Sequence, residues 1–203
     1  MFARMFKTMA FTLAGLVVTF YGVGHLLADR WQVETRRSIA AKPERIAELL
    51  GDFDAWERWS TMKIALGPQV QRTVTGTPGT AGHAVAWSGA QGKSTLALVR
   101  FGPGELGYDY HSQRSTDAAP TLAGRGSITW TAEGDQVLVV WRDDAPLDSL
   151  AARWVGWFGG LQERVKQIHT TSLQGLAAAA ESPSAAPVGT PGTPEPVKTG
   201  ASK

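Results

Sequence analysis

The chain has no cysteine. That excludes disulfides, Cys-ligated zinc, iron–sulfur clusters and a thiol nucleophile. It leaves the compartment open, because cysteine-free proteins occur on both sides of a membrane. Concentrated charge is also missing: Lys and Arg number 20 against 18 Asp and Glu, and no basic run is longer than Arg36-Arg37. Nucleic-acid binders carry clustered cations, so no nucleic-acid partner is expected. A phosphate-binding loop is absent, since Gly102-Pro103-Gly104 has neither a following helix nor a Lys-Ser/Thr pair. No Ser sits in a nucleophile elbow. His83 and His111 lack a short-spaced His or carboxylate partner with metal geometry. No metal or cofactor is therefore expected.

What the chain does have is tryptophan, eight residues in 203. Each buries a large apolar area, so most should form core or cavity wall. The chain divides into three parts. Residues 1–29 hold a stretch from Thr8 to Ala28 without Asp, Glu, Lys or Arg, close to the roughly 20 residues that span a bilayer. A small-x-small cleavage site before Ala28 is missing because Leu26 occupies the position two before it. The segment therefore predicts a retained single-pass membrane anchor at residues 8–28, with a cleaved signal peptide and a cytosolic apolar tail as the alternatives. Cations flank both ends, so the positive-inside count does not orient it. By the habit of short N-terminal anchors, the domain is expected on the extracytoplasmic (periplasmic) side. Residues 181–203 carry Pro183, Pro187, Pro191, Pro194 and Pro196 among small residues. With no apolar face to repay ordering entropy, they predict a disordered Pro-rich tail.

Residues 30–180 read as the folded domain. Trp31 to Ile39 alternates as a strand, and Pro43 opens a short helix that Gly51 ends. Strands follow near Lys63–Leu66, Gln69–Thr75, Ala81–Ser88, Ser94–Phe101, Leu106–Ser112, Thr121–Thr131 and Gln136–Arg142. Gly- and Pro-rich connections of two to four residues imply antiparallel hairpins. Leu147 to Leu176 reads as one amphipathic helix with apolar steps of threes and fours, capped by Asp144 with Pro146 in its first turn. Gly156, Gly159 and Gly160 lower its propensity, either at a kink or where a ligand comes close. This order predicts an α+β helix-grip fold: a curved antiparallel sheet gripping a long C-terminal helix, preceded by one transmembrane helix.

Three stretches carry a resemblance. "VETRRSIAAKPERIAELLGDFDAWERWS" supplies Ser38, Ile39, Ala41, Pro43, Ile46, Leu49, Asp52, Trp56 and Trp59. "GHAVAWSGAQGKSTLALVRFGPGELGYDYH" supplies Gly82, Trp87, Gly89 and Gly92, and "WVGWFGGLQERVKQI" lies in the terminal helix. In order and spacing they resemble the polyketide cyclase/dehydrase branch of the START-like (SRPBCC) superfamily. The hairpin departs from that pattern, because Lys93 follows Gly92 where a small residue and a second Gly are usual. The resemblance implies a START-like, birch-pollen-allergen-like domain with a ligand between the concave sheet and the helix.

Candidate wall residues are Trp59, Trp87, Tyr108, Tyr110, Trp130, Trp141, Arg142, Trp154 and Phe158. Period-two alternation puts Trp130 with Ile128, Trp141 with Val139 and Val137, and Tyr108 with Tyr110 opposite Asp109 and His111. Arg142 could anchor an anion, although Asp143 and Asp144 beside it suggest a solvated rim. Such a wall suits a hydrophobic small molecule or lipid. No residue set argues for a reaction, so no catalytic residue is assigned. The family also contains cyclase/dehydrase-type lyases and protein-interaction modules, and fold alone does not choose among them.

Overall fold

In the computed structural model, residues 2–62, 69–115 and 121–182 are described, with side chains from residue 5 onward. An N-terminal helix α1 (Phe2–Leu26) leads into β1 (Arg30–Ile39), α2 (Pro43–Gly51) and the single turn α3 (Phe53–Trp56). Six strands follow: β2 (Gln71–Thr75), β3 (Ala84–Gly89), β4 (Gly92–Gly102), β5 (Glu105–Arg114), β6 (Leu122–Glu133) and β7 (Gln136–Pro146). The chain ends, within the described residues, in α4 (Leu150–Phe158) and α5 (Leu161–Glu181). All strands join one antiparallel sheet in the order β1-β7-β6-β5-β4-β3-β2, so β2 to β7 form a meander and β1 closes against its last strand. The register slips between Leu98 and Arg100, the kind of bulge that bends a sheet.

Alternation writes the core. Along β7, Val137, Val139, Trp141, Asp143 and Ala145 are buried, and the residues between them are not. From α5, His169, Ser172, Leu173, Leu176, Ala177 and Ala180 close over that face. Helices α2 and α3 add Ile46, Leu49, Leu50, Phe53 and Trp56. His83, just before β3, is buried and structural. Its Nε2 accepts from the Phe53 amide at 3.1 Å and its Nδ1 donates to the Thr75 carbonyl at 3.0 Å.

Two sequence expectations need correction. The single helix from Leu147 is two helices, because Gly160 adopts φ +66 and interrupts the ladder. That backbone is costly for any residue with a Cβ. Asp144 and Pro146 are not its cap and first turn: they extend β7 and pair with Gln32 and Arg30. The cap is Ser149, whose side chain accepts from the Ala152 amide at 3.0 Å. The expected strand at Lys63–Leu66 and residues 183–203 of the Pro-rich tail lie outside the described residues, whereas Glu181 ends α5 and Ser182 caps it.

One described helix is long and apolar enough to cross a membrane or serve as a signal sequence, Met5–Leu26. Its side chains are exposed along most of its length, except near its C-terminal end, where it meets α4.

Candidate functional site

The inward residues of β5, β7 and α5 meet in a seam that combines aromatic rings with a buried polar hub. Trp56 and Trp59 have ring centroids 4.7 Å apart, and Trp59 meets Trp141 edge-on at 6.1 Å. Trp141 lies flat on the His169 imidazole at 4.3 Å and an interplanar angle of 13°. Behind these rings, the Trp141 indole N–H donates to the Tyr108 hydroxyl at 2.7 Å. An indole nitrogen only donates, so the Tyr108 proton goes elsewhere: to Asp143 Oδ1 at 2.5 Å. The other oxygen, Oδ2, lies 2.9 Å from His169 Nε2.

Each member of this hub is deeply buried: Tyr108 and His169 at 0% exposure, Asp143 at 5%. A buried carboxyl group is costly unless its oxygens are satisfied, and both are. With Asp143 accepting, an imidazole hydrogen sits on Nε2, and in the neutral tautomer Nδ1 then carries the lone pair. Nδ1 is buried and has no hydrogen-bond partner among the described residues. The Trp87 indole N–H is in the same condition. Burial, and then the Asp143 charge, push the Tyr108 phenol well above its ordinary range. Burial followed by the same charge also raises Tyr110. Both phenols are therefore hydrogen-bond donors and not bases.

Space for the hub comes from the neighbouring strand. A Cβ at Gly126 on β6 would collide with the Tyr108 ring and Asp143 Oδ1, and one at Gly124 with the Tyr110 hydroxyl. Tyr110 is half-buried, and its hydroxyl reaches the Asp144 carbonyl at 3.3 Å.

Of the nine wall residues read from sequence, Trp59, Trp87, Tyr108, Tyr110, Trp130 and Trp141 point into the main core. Three stand elsewhere. Arg142 lies on the opposite face of β7, paired with Glu34 of β1. The Arg142 and then the Arg36 guanidinium hold the Glu34 carboxyl below its usual range. Trp154 and Phe158 turn away from the sheet. Trp154 stacks on Phe20 of α1 at 5.7 Å and 8°, donates to the Phe20 carbonyl at 3.1 Å, and stacks on Phe158 at 5.3 Å. The cause is the break at Gly160, which lets α4 swing from the sheet toward α1.

Sequence reading missed Asp143 and His169. Asp143 was read as rim, yet it shares the parity of Val137, Val139 and Trp141, and that signal was sufficient. His169 lies four residues after Val165 and four before Leu173, on the buried stripe of α5. A surface depression of about 400 Å³ lies between Ala40–Pro43 and Ala132–Gln136 and includes no hub residue.

Solved structures share the architecture at low identity. A protein from Nitrosospira multiformis matches at TM-score 0.54 and 15% identity, over 75% of this chain and 97% of its own. The Aha1 dimer from Colwellia psychrerythraea matches at 0.50 and 16%, over 74% and 96%. DynU16, a protein in the dynemicin biosynthetic locus, matches at 0.49 and 14%, over 74% of this chain. This chain spans 46% of DynU16, under half its length. At such identities the likeness to the first two is one of fold. No curated protein matches the sequence. The family described as polyketide cyclase / dehydrase and lipid transport matches residues 30–181, from the first strand through the last helix, and the chain belongs to that family, within the START-like (SRPBCC) superfamily.

Proposed function

We infer that this protein is a membrane-anchored START-like domain that holds a hydrophobic small molecule or lipid between its sheet and α5. The observation that carries the reading is the unpaired, fully buried Nδ1 of His169 inside an aromatic seam. Apolar pockets orient their ligands with a few placed polar groups, and this nitrogen, fixed by Asp143, suits a ligand hydroxyl or amide. The apolar stretch of α1 supports an anchor, with residues 30–180 as the domain on the extracytoplasmic side and 181–203 as a tail. Protease added outside intact spheroplasts should then cleave the domain; protection until lysis would reverse the orientation.

The binding test uses the full chain in nanodiscs, titrated with a fluorescent fatty acid and with an aromatic polyphenol. Saturable binding above empty nanodiscs is expected. His169→Phe, which keeps an aromatic ring but removes both Nδ1 and the Nε2 donor to Asp143, should weaken it by at least about tenfold, the value of one hydrogen bond near 1.4 kcal/mol, and should also lower stability because Asp143 Oδ2 loses its partner. Absence of saturable binding for both ligands would end the reading.

The pair Asp143–His169 favours one alternative, a cyclase/dehydrase-type lyase. There His169 Nδ1 would take a proton from an acidic carbon of the substrate and return it to the departing hydroxyl as water leaves. Turnover of a poly-β-keto substrate that Asp143→Asn slows at least tenfold would support it; equal turnover would remove it.

A further inference from the structure

The first helix of the C-terminal region, α4, leaves much of its apolar face uncovered among the described residues. Val155 is 56% exposed, Trp157 54% and Phe158 70%. These residues follow one another around the helix beside Trp154, which is bound to α1. Isolated exposed apolar residues are ordinary, but a contiguous group on one helix marks a contact surface.

Position decides which contact. The apolar stretch Met5–Leu26 has 22 residues and is about 33 Å long at 1.5 Å per residue. It matches a hydrocarbon core of about 30 Å. Its centre falls near Gly15–Leu16. Trp154 is held by Phe20, and Gly24 comes so close to Trp154 and Leu150 that a Cβ there would lie 2.9 Å from the indole nitrogen. Phe20 and Gly24 stand about 7 to 13 Å along the axis from that centre, which is about 2 to 8 Å inside the hydrocarbon boundary, a depth that an interfacial helix reaches. Whatever packs on them is held at the same depth.

We propose that α4 is an interfacial helix, with its Val155–Trp157–Phe158 face embedded in the lipid surface beside the anchor. The proposal rests on the reading of α1 as a membrane span. Its composition fits that layer. Tyr21, Trp154 and Trp157 are the aromatic types enriched at membrane interfaces. Arg153 and Arg164 bracket the apolar face, and Arg side chains can carry their charge to the headgroups. The exposed apolar residues of α1 and of α4 flank the Phe20–Trp154 contact that joins the two helices, so bilayer contact covers both together. The break at Gly160 then joins a lipid-embedded α4 to the α5 that roofs the seam, which places the end of the roof at the lipid surface.

The absence of cysteine makes the test direct. Single cysteines at Val155, Trp157, Phe158, Leu16 and Glu163 are labelled with an environment-sensitive fluorophore in the full chain. The chain is reconstituted in phosphatidylcholine/phosphatidylglycerol vesicles. All five positions are exposed in the fold, so labelling leaves the core intact. Nitroxide-bearing lipids should quench the three α4 labels and Leu16 severalfold more than Glu163, while iodide should quench Glu163 most. If Leu16 is lipid-quenched but the α4 labels respond to iodide like Glu163, the interfacial helix is wrong and the anchor stands. If Leu16 also responds only to iodide, the anchor reading falls and this proposal with it. Protection of the α4 labels from both quenchers, increasing with protein density, would assign the face to a second copy and overturn the proposal.

Discussion

At Gly126, a hydrogen in place of a methyl decides whether the polar hub can exist. A Cβ there would enter the space of Tyr108 and Asp143 Oδ1. Gly126→Ala should therefore destabilise the fold by about 1–3 kcal/mol, the usual cost of overpacking, read as a lower urea midpoint. Asp143→Asn tests the hub more subtly. Its carbonyl can still accept from Tyr108, but its amide would donate to His169 Nε2, moving the imidazole hydrogen to Nδ1. We expect a loss of about 1–3 kcal/mol with the fold kept, and weaker binding of a hydroxyl-bearing ligand in the nanodisc titration. The phenols give a pH signature. Tyr108 and Tyr110 are held protonated above the ordinary range, while in the unfolded chain they ionise near pH 10. Above about pH 10 the unfolded chain sheds these protons first. Stability is therefore complete below that pH and falls as pH rises through it. Phenolate absorbance from these two residues should grow only as near-ultraviolet circular dichroism is lost; ionisation within an intact fold would contradict their burial. Sequence had shown Tyr108, Trp141 and their parity. It hid Asp143, because an adjacent acidic pair looks solvated unless the period of two is trusted over side-chain type.

The elements were legible to different degrees for physical reasons. Strands β2 to β7 announce themselves through turn residues between short apolar runs, and the hairpins Gly89–Gly92, Gly102–Glu105 and Glu133–Gln136 fall where that punctuation predicts. The helix break was not legible. Apolar spacing passes unchanged from Trp154 and Phe158 through Leu161 to Val165, whereas the interruption is a backbone torsion at Gly160. Periodicity reports side-chain faces, not the sign of φ. Two substitutions probe this segment. Ser149→Ala removes the α4 cap and should cost about 1 kcal/mol. Gly160→Ala must hold φ at +66 with a Cβ present and should cost about 1–2 kcal/mol. If α4 and α5 were one continuous helix, the second substitution would instead stabilise, because Ala is the better helix former. Thermal or urea unfolding of each variant decides between the signs.

At the scale of the molecule, α1 and α4 form one apolar contact, and the sheet and α5 form another around the hub. Trp31, Val33, Ala145 and Leu147 make a smaller buried cluster against which Ala152 of α4 and Leu161 and Val165 of α5 pack. It links the two contacts where β1 leaves α1. The seam presents aromatic surface and, among the described residues, one unpaired imidazole nitrogen, and its phenols stay protonated. The central claim is that the seam, rather than the exposed apolar surface of α1 and α4 alone, is where an apolar ligand resides. Photolysis of a diazirine-bearing fatty acid with the full chain in nanodiscs, followed by peptide mapping, tests it most directly. The account predicts label on Trp59, Tyr108, Trp141 or His169 that excess unlabelled fatty acid removes. Label confined to α1 and α4, unaffected by competitor, would contradict it.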